Sequence, residues 1–189
     1  LKNKNILPDD TTKKPVTVKN VSLAGIFLGL GTGLSMPLLN FNNNSDYAFG
    51  IFGRLEYSST KIFPFVIGGE ASYFSYSGDD DFKTTNLLKA YTTKIFGYGL
   101  TIEYSLSRLL HTSYSMPFLT VDVKNNSIKR DYDSGVEFSD LPRKESRVSI
   151  GAGIGFTLFV LDFYVKYNYM KDMSNFGVYA KIKFPVIRM

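Results

Sequence analysis

The strongest constraint on this chain is a period of two, sustained over long runs that recur through most of its length. From Tyr47 the side chains Tyr47, Phe49, Ile51, Leu55 and Tyr57 alternate with Ala48, Gly50, Phe52, Arg54 and Glu56 as far as Ser58-Ser59-Thr60. Successive side chains of a strand point to opposite faces, so the run reads as a strand with two unlike faces and a turn after it. Phe65, Ile67, Ala71 and Tyr73 oppose Val66, Gly68, Glu70 and Ser72, with Pro64 at the start, where a strand tolerates it. The pattern returns with Phe96, Tyr98, Leu100, Ile102 and Tyr104 against Gly97, Gly99, Thr101 and Glu103, and with Leu119, Val121 and Val123 against Phe118, Thr120 and Asp122. Val148 to Leu158, Leu161 to Tyr169 and Val178 to Phe184 complete it on the C-terminal side.

The uncharged stretch from Val21 to Ser45 admits a second interpretation, because Gly25, Gly29 and Gly33 have the spacing of a helix-packing motif in a membrane span. Its parity argues for a strand: Gly25, Phe27, Gly29, Gly31 and Gly33 share one face, and Ala24, Ile26, Leu28, Leu30 and Leu34 the other. Counting it, the chain has eight predicted strands. Their lengths, about 10 to 14 residues, exceed those of ordinary globular strands and suit a tilted strand crossing a bilayer. The connections alternate as well. Those at 36–46, 77–89, 124–146 and 170–175 fall at one end, and the turns at 58–61, 106–115 and 158–160 at the other.

The expected fold is therefore all-β: an eight-stranded antiparallel up-and-down transmembrane β-barrel over residues 21–189, preceded by a flexible periplasmic tail or linker over residues 1–20. That opening segment, LKNKNILPDDTTKKPVTVKN, is polar and holds two prolines. Starting on Leu1 without a basic and then apolar leader, the chain reads as a mature or truncated form. An even strand count puts both termini on the periplasmic side of a bacterial outer membrane, with the longer loops outside.

One face of the strands is apolar. Its aromatic residues Tyr47, Tyr57, Phe65, Tyr104, Tyr169 and Phe184 lie near strand ends, as in an interfacial girdle. The other face mixes glycines with Arg54, Glu56, Glu70, Glu103, Asp122, Arg147, Asp162, Lys166, Lys181 and Lys183. In a membrane barrel these charges line the lumen, which eight strands leave just wide enough for side chains to fill. The expectation is a salt-bridged, plugged interior, with glycines making room for the long charged chains.

Several chemistries are excluded by composition. With no Cys and a single His, the chain cannot build a disulfide framework, a thiolate zinc site or a multi-histidine centre, and neither a metal nor a cofactor is expected. A formal charge of +5 without a concentrated basic stripe does not point to nucleic acid.

The segments GIFLGLGTG, FPFVIGGEASYFSY, GAGIGFTL and NFGVYAKIKF resemble the small outer-membrane β-barrel superfamily typified by the OmpA transmembrane domain and OmpX. The last of them is similar to a barrel-assembly signal, with Gly177, Ala180, Ile182 and Phe184 in phase, although the chain continues through Pro185 to Met189. The resemblance implies a non-enzymatic integral outer-membrane protein, a structural or interaction subunit in contact with lipid, lipopolysaccharide and other outer-membrane components.

Three other classes fit parts of the pattern: a narrow ion channel, a lipid A-modifying barrel enzyme and a soluble lipocalin-like carrier. For the enzyme, His111-Thr112-Ser113 has the spacing of a base and nucleophile pair in PagL-like deacylases, but Tyr114 stands where that family has Asn. Asp79-Asp80-Asp81 is a candidate cation loop without the spaced ligands of a calcium site. Lys124, Lys129, Arg130, Arg143, Lys144 and Arg147 form a basic group around the longest loop, where lipopolysaccharide phosphates would lie.

Overall fold

A computed structural model describes residues 24–107, 115–133, 138 and 141–188. The expected tail and the His111/Ser113 pair both lie outside these residues. Eight strands form one closed antiparallel barrel in sequence order: β1 (Gly25–Pro37), β2 (Ser45–Ser58), β3 (Phe65–Gly78), β4 (Tyr91–Ser105), β5 (Met116–Tyr132), β6 (Lys144–Leu158), β7 (Leu161–Met170) and β8 (Asn175–Arg188). Closure between β1 and β8 pairs every strand on both sides, so no row of backbone amides and carbonyls is left facing hydrocarbon. The glycine-rich first segment is a strand, as its parity indicates, and no helix among the described residues is long and apolar enough to cross a membrane.

Both ends of the barrel can be followed from the register. The lower end holds Gly25, Ser58, Phe65 and Leu161 and is joined by the links 59–64, 106–115 and 159–160. The upper end carries a 3₁₀ turn at Leu39–Asn43, the short helix α1 (Asp80–Thr85) and the connection from β5 to β6. That connection is shorter than the 124–146 expected from sequence. β5 continues to Tyr132 and β6 begins at Lys144, with Lys129 paired to Lys144 across them. Pro185 is accommodated by a register shift at Ile26/Phe27, where Ile26 pairs with Ile187 and Phe27 with Pro185. β8 thus continues past the aromatic Phe184 and closes on β1 to its last residues.

The polarity of the two faces is inverted relative to a soluble barrel. Leu30, Leu34, Phe49, Ile51, Leu100, Val121, Ile150 and Val178 point outward and are exposed, while Arg54, Glu56, Asp122, Asp162, Lys166 and Lys181 are buried inside. A lipocalin-like carrier would require the opposite arrangement. Glycines on the inner face admit aromatic rings as often as charged chains. A Cβ on Gly31 would stand 2.3 Å from the Phe52 ring and 2.6 Å from the Ala180 carbonyl oxygen.

Candidate functional site

Five cations and five carboxylates join in one connected network running from the lower mouth to mid-height: Arg54, Lys124, Lys166, Lys181 and Lys183 with Glu56, Glu70, Glu103, Asp122 and Asp162. Arg54 is the junction. Its Nη2 meets Glu70 at 2.6 Å, and its Nη1 binds Glu103 and lies 3.6 Å from Glu56. On one side Lys124 reaches Glu70 at 2.9 Å and Lys166 reaches Asp122 at 2.8 Å. On the other, Lys181 binds Glu56 and stands 3.1 Å from both Glu103 and Asp162. Lys183 sits within 3.2 Å of Glu56, Glu103 and Asp162. The equal numbers of opposite charges, each within reach of several partners, are what a low-dielectric lumen requires if the groups are to stay ionised.

Nine of these ten residues are among those expected to face the lumen; the structure brings in Lys124 and leaves out Arg147. Lys124 follows Asp122 in the same phase of β5, inside a stretch whose polar outward residues make it read as a loop. Arg147 keeps the inward parity of β6 but lies at the upper mouth, partly exposed, where it pairs with Glu145 at 2.6 Å and Asp172 at 3.3 Å. Glu56, Glu103 and Asp162 gather closely enough to suggest a cation site. The ammonium groups of Lys181 and Lys183 already occupy it, so the chemistry of this triad is charge pairing.

Aromatic and small polar groups fill the remaining lumen. The rings of Tyr164 and Tyr179 stack at 5.0 Å, Phe52 meets both edge-on, and the Arg54 guanidinium lies 5.7 Å from the Tyr164 centroid. Higher up, Ser35 Oγ and the Tyr76 hydroxyl share a hydrogen bond of 2.7 Å, and Asn168 donates to Asn175 at 2.9 Å. Phe41, Ile128, Met170 and Met173 then close the upper end as an apolar cluster. A small pocket between these layers, lined by Ser35, Phe74, Asn126 and Tyr179, has a volume of about 30 Å³, room for about one water molecule. Alternation already sets Phe52, Phe118, Tyr164 and Tyr179 in the phase of the charged residues; what it does not reveal is that Phe52, Tyr164 and Tyr179, with Phe74, pack into one aromatic layer across the lumen.

The six girdle residues all lie on the outer face. Tyr57, Phe65, Tyr104 and Phe184 stand toward the lower end and Tyr47 and Tyr169 toward the upper; Phe65 and Tyr104 are register partners with ring centroids 5.2 Å apart. The basic group expected around the longest loop separates into different environments. Lys124 and Arg130 are buried, Arg130 pairing with Glu145, and Arg143 stacks 4.0 Å over the Tyr132 ring. Lys129 and Lys144 point outward. In the acidic loop, Asp79 caps α1 by accepting from the Phe82 amide at 2.9 Å. Asp80 pairs with Lys83 at 2.6 Å, and this hydrogen bond holds its carboxyl below the ordinary carboxylate range.

No family model and no curated protein matches the sequence. Among solved structures, Neisserial surface protein A is similar with a TM-score of 0.56 at 14% identity, covering 86% of this chain and 97% of that one. Ail, the attachment invasion locus protein of Yersinia pestis, is similar with a TM-score of 0.54 at 12% identity, covering 85% of this chain and 99% of that one. The likeness spans nearly the whole of each neighbour. The chain has the closed, eight-stranded, up-and-down barrel fold of these outer-membrane proteins.

Proposed function

We propose that this protein is a non-enzymatic integral barrel of the bacterial outer membrane, a structural or interaction subunit with both termini periplasmic and its upper connections at the cell surface. One observation carries the reading: an apolar outer wall around a neutral, internally paired charge network. Hydrocarbon accepts such a wall without cost, whereas water would leave most of it as exposed apolar surface. The filled lumen supports a scaffold role over a conducting one. The upper end, with its turn, helix and protruding β5–β6 pair, supplies the surface for contacts with other outer-membrane components, and lipid and lipopolysaccharide surround the wall.

The orientation is tested by labelling. Because the chain has no native Cys, single replacements report one position each. Leu87→Cys, in the link after α1, and Phe159→Cys, in the lower turn, are both 90% exposed sites. A membrane-impermeant maleimide should label Leu87→Cys on intact cells and Phe159→Cys only after the outer membrane is opened. The reverse pattern contradicts the orientation, and labelling of neither in membranes contradicts surface exposure of the upper end.

A further inference from the structure

Three lysines stand in one row on the outer wall. Lys94 of β4 is the register partner of Lys129 of β5, which is in turn the partner of Lys144 of β6. Like charges placed directly opposite each other weaken a sheet, so the row needs a compensating anion. Asp131, two residues farther along β5, supplies part of it, accepting from Lys94 at 2.7 Å and lying 3.0 Å from Lys129. Lys144 meets no carboxylate among the described residues. Adjacent strands are about 4.8 Å apart, so the three ammonium groups span roughly 10 Å and keep a surplus of positive charge.

The row lies above the edge of the apolar wall. Four residues below it on each strand come Tyr98, Asn125 and Val148, which are themselves register partners. That is about 13 Å along a strand and roughly 10 Å in height at the tilt usual for such barrels. In the interval Phe96, 48% exposed, is the register partner of Ser127, which in turn pairs with Ser146; on the β5–β6 side polar contacts line it, Asn125 donating to the Tyr98 hydroxyl at 3.1 Å and Ser146 Oγ donating to Asn125 Oδ1 at 2.9 Å. Below them the wall is indented by a groove of about 780 Å³, floored by Gly69 and Ala71 and flanked by Leu55, Leu100, Tyr98 and Val148. Acyl chains cover any lipid-facing surface; a cationic row over a polar ledge over an apolar groove selects what those chains carry.

We propose that this surface binds a phosphorylated, acylated glycolipid of the outer leaflet, with an acyl chain in the groove, sugar hydroxyls along Asn125 and Ser146, and phosphates on Lys94, Lys129 and Lys144. A row of three cations matches a headgroup with more than one phosphate better than the single phosphate of a glycerophospholipid. The inference rests on the orientation proposed above, which brings this end of the barrel to the outer leaflet.

The test uses the folded barrel in phosphatidylcholine nanodiscs, titrated with diphosphoryl lipid A, its phosphate-free counterpart and phosphatidylglycerol, with bound lipid counted by native mass spectrometry. Diphosphoryl lipid A should bind at least tenfold more tightly than the other two. K94Q/K129Q/K144Q should remove that preference, Ala71→Phe should weaken every acylated ligand by filling the groove, and Lys83→Gln, on α1, should change nothing. Equal binding by the triple variant and the parent overturns the site, and a preference for phosphatidylglycerol overturns the glycolipid assignment. Retention of a boiling-sensitive gel band in each preparation shows that the barrel is folded. A chain that is soluble without detergent and lacks that band overturns the membrane barrel itself, a result distinct from a failed titration.

Discussion

Arg54 on β2 and Glu70 on β3 are direct register partners inside the barrel, and the guanidinium closes on one carboxylate oxygen with two hydrogen bonds, from Nε at 3.0 Å and Nη2 at 2.6 Å. Their side chains are 0% and 3% exposed. A pair this enclosed is held less by its own attraction than by the surrounding charges that balance it, so its removal has an asymmetric effect.

Arg54→Met leaves Glu70, Glu103 and Glu56 short of one cation and is expected to destabilise the folded barrel by about 3–5 kcal/mol. The double change Arg54→Met with Glu70→Met restores neutrality and should recover a large part of that loss. Urea unfolding in lipid vesicles, followed by tryptic protection, measures both; a double variant less stable than either single would contradict the charge-balance account.

Lys124 and Arg147 separate buried from mouth-exposed pairing. Lys124→Met removes a cation enclosed between Glu70 and Asp122 and should cost about 3 kcal/mol or more. Arg147→Met breaks partly exposed pairs at the rim and should cost about 1 kcal/mol or less. The same unfolding assay ranks them, and equal effects would remove the distinction drawn between lumen and mouth.

These two residues also mark where the sequence was legible. Alternation defined the strands and the charged face because, within the lipid band, each strand has an apolar and a polar side. Above the band the outward residues of β5, such as Asn125, Ser127 and Lys129, become polar, the contrast vanishes, and the stretch looks like a loop. Yet the inward phase persists through Lys124, Asn126, Ile128, Arg130 and Tyr132, all buried. The identity of ion-pair partners was not legible at all, since parity assigns a face while only register sets Arg54 beside Glu70. For the same reason the lysine row appears only once β4, β5 and β6 are aligned.

Gly31 is a position of close approach. Gly31→Leu drives a side chain into the Phe52 ring and the Ala180 carbonyl oxygen, and overpacking of this kind costs about 1–3 kcal/mol or more. Adding Phe52→Ala should recover only part of the loss, because the backbone carbonyl stays in place. Full recovery in the unfolding assay would show that the ring alone sets the requirement.

The lumen should not conduct. In planar bilayers the purified barrel is expected to give no stepwise current, and Lys166→Gln or Lys181→Gln should not create one, because aromatic and apolar layers still close the path above the network. Reproducible unitary currents that change with either substitution would favour a channel.

The outer wall offers a depth-dependent comparison. Val121→Arg, in the middle of the lipid-facing run of β5, should destabilise the barrel by about 2–4 kcal/mol, whereas Ser127→Arg, above that run, should cost about 0–1 kcal/mol.

The most direct measurement is the gel mobility of the full chain, extracted from membranes in detergent and run with and without boiling. A closed, hydrogen-bonded barrel inserted in lipid predicts recovery in the detergent-soluble membrane fraction and a compact band that shifts on boiling. Recovery in the aqueous fraction without detergent, with one mobility before and after boiling, would contradict the membrane-spanning barrel and the inverted polarity on which the account depends.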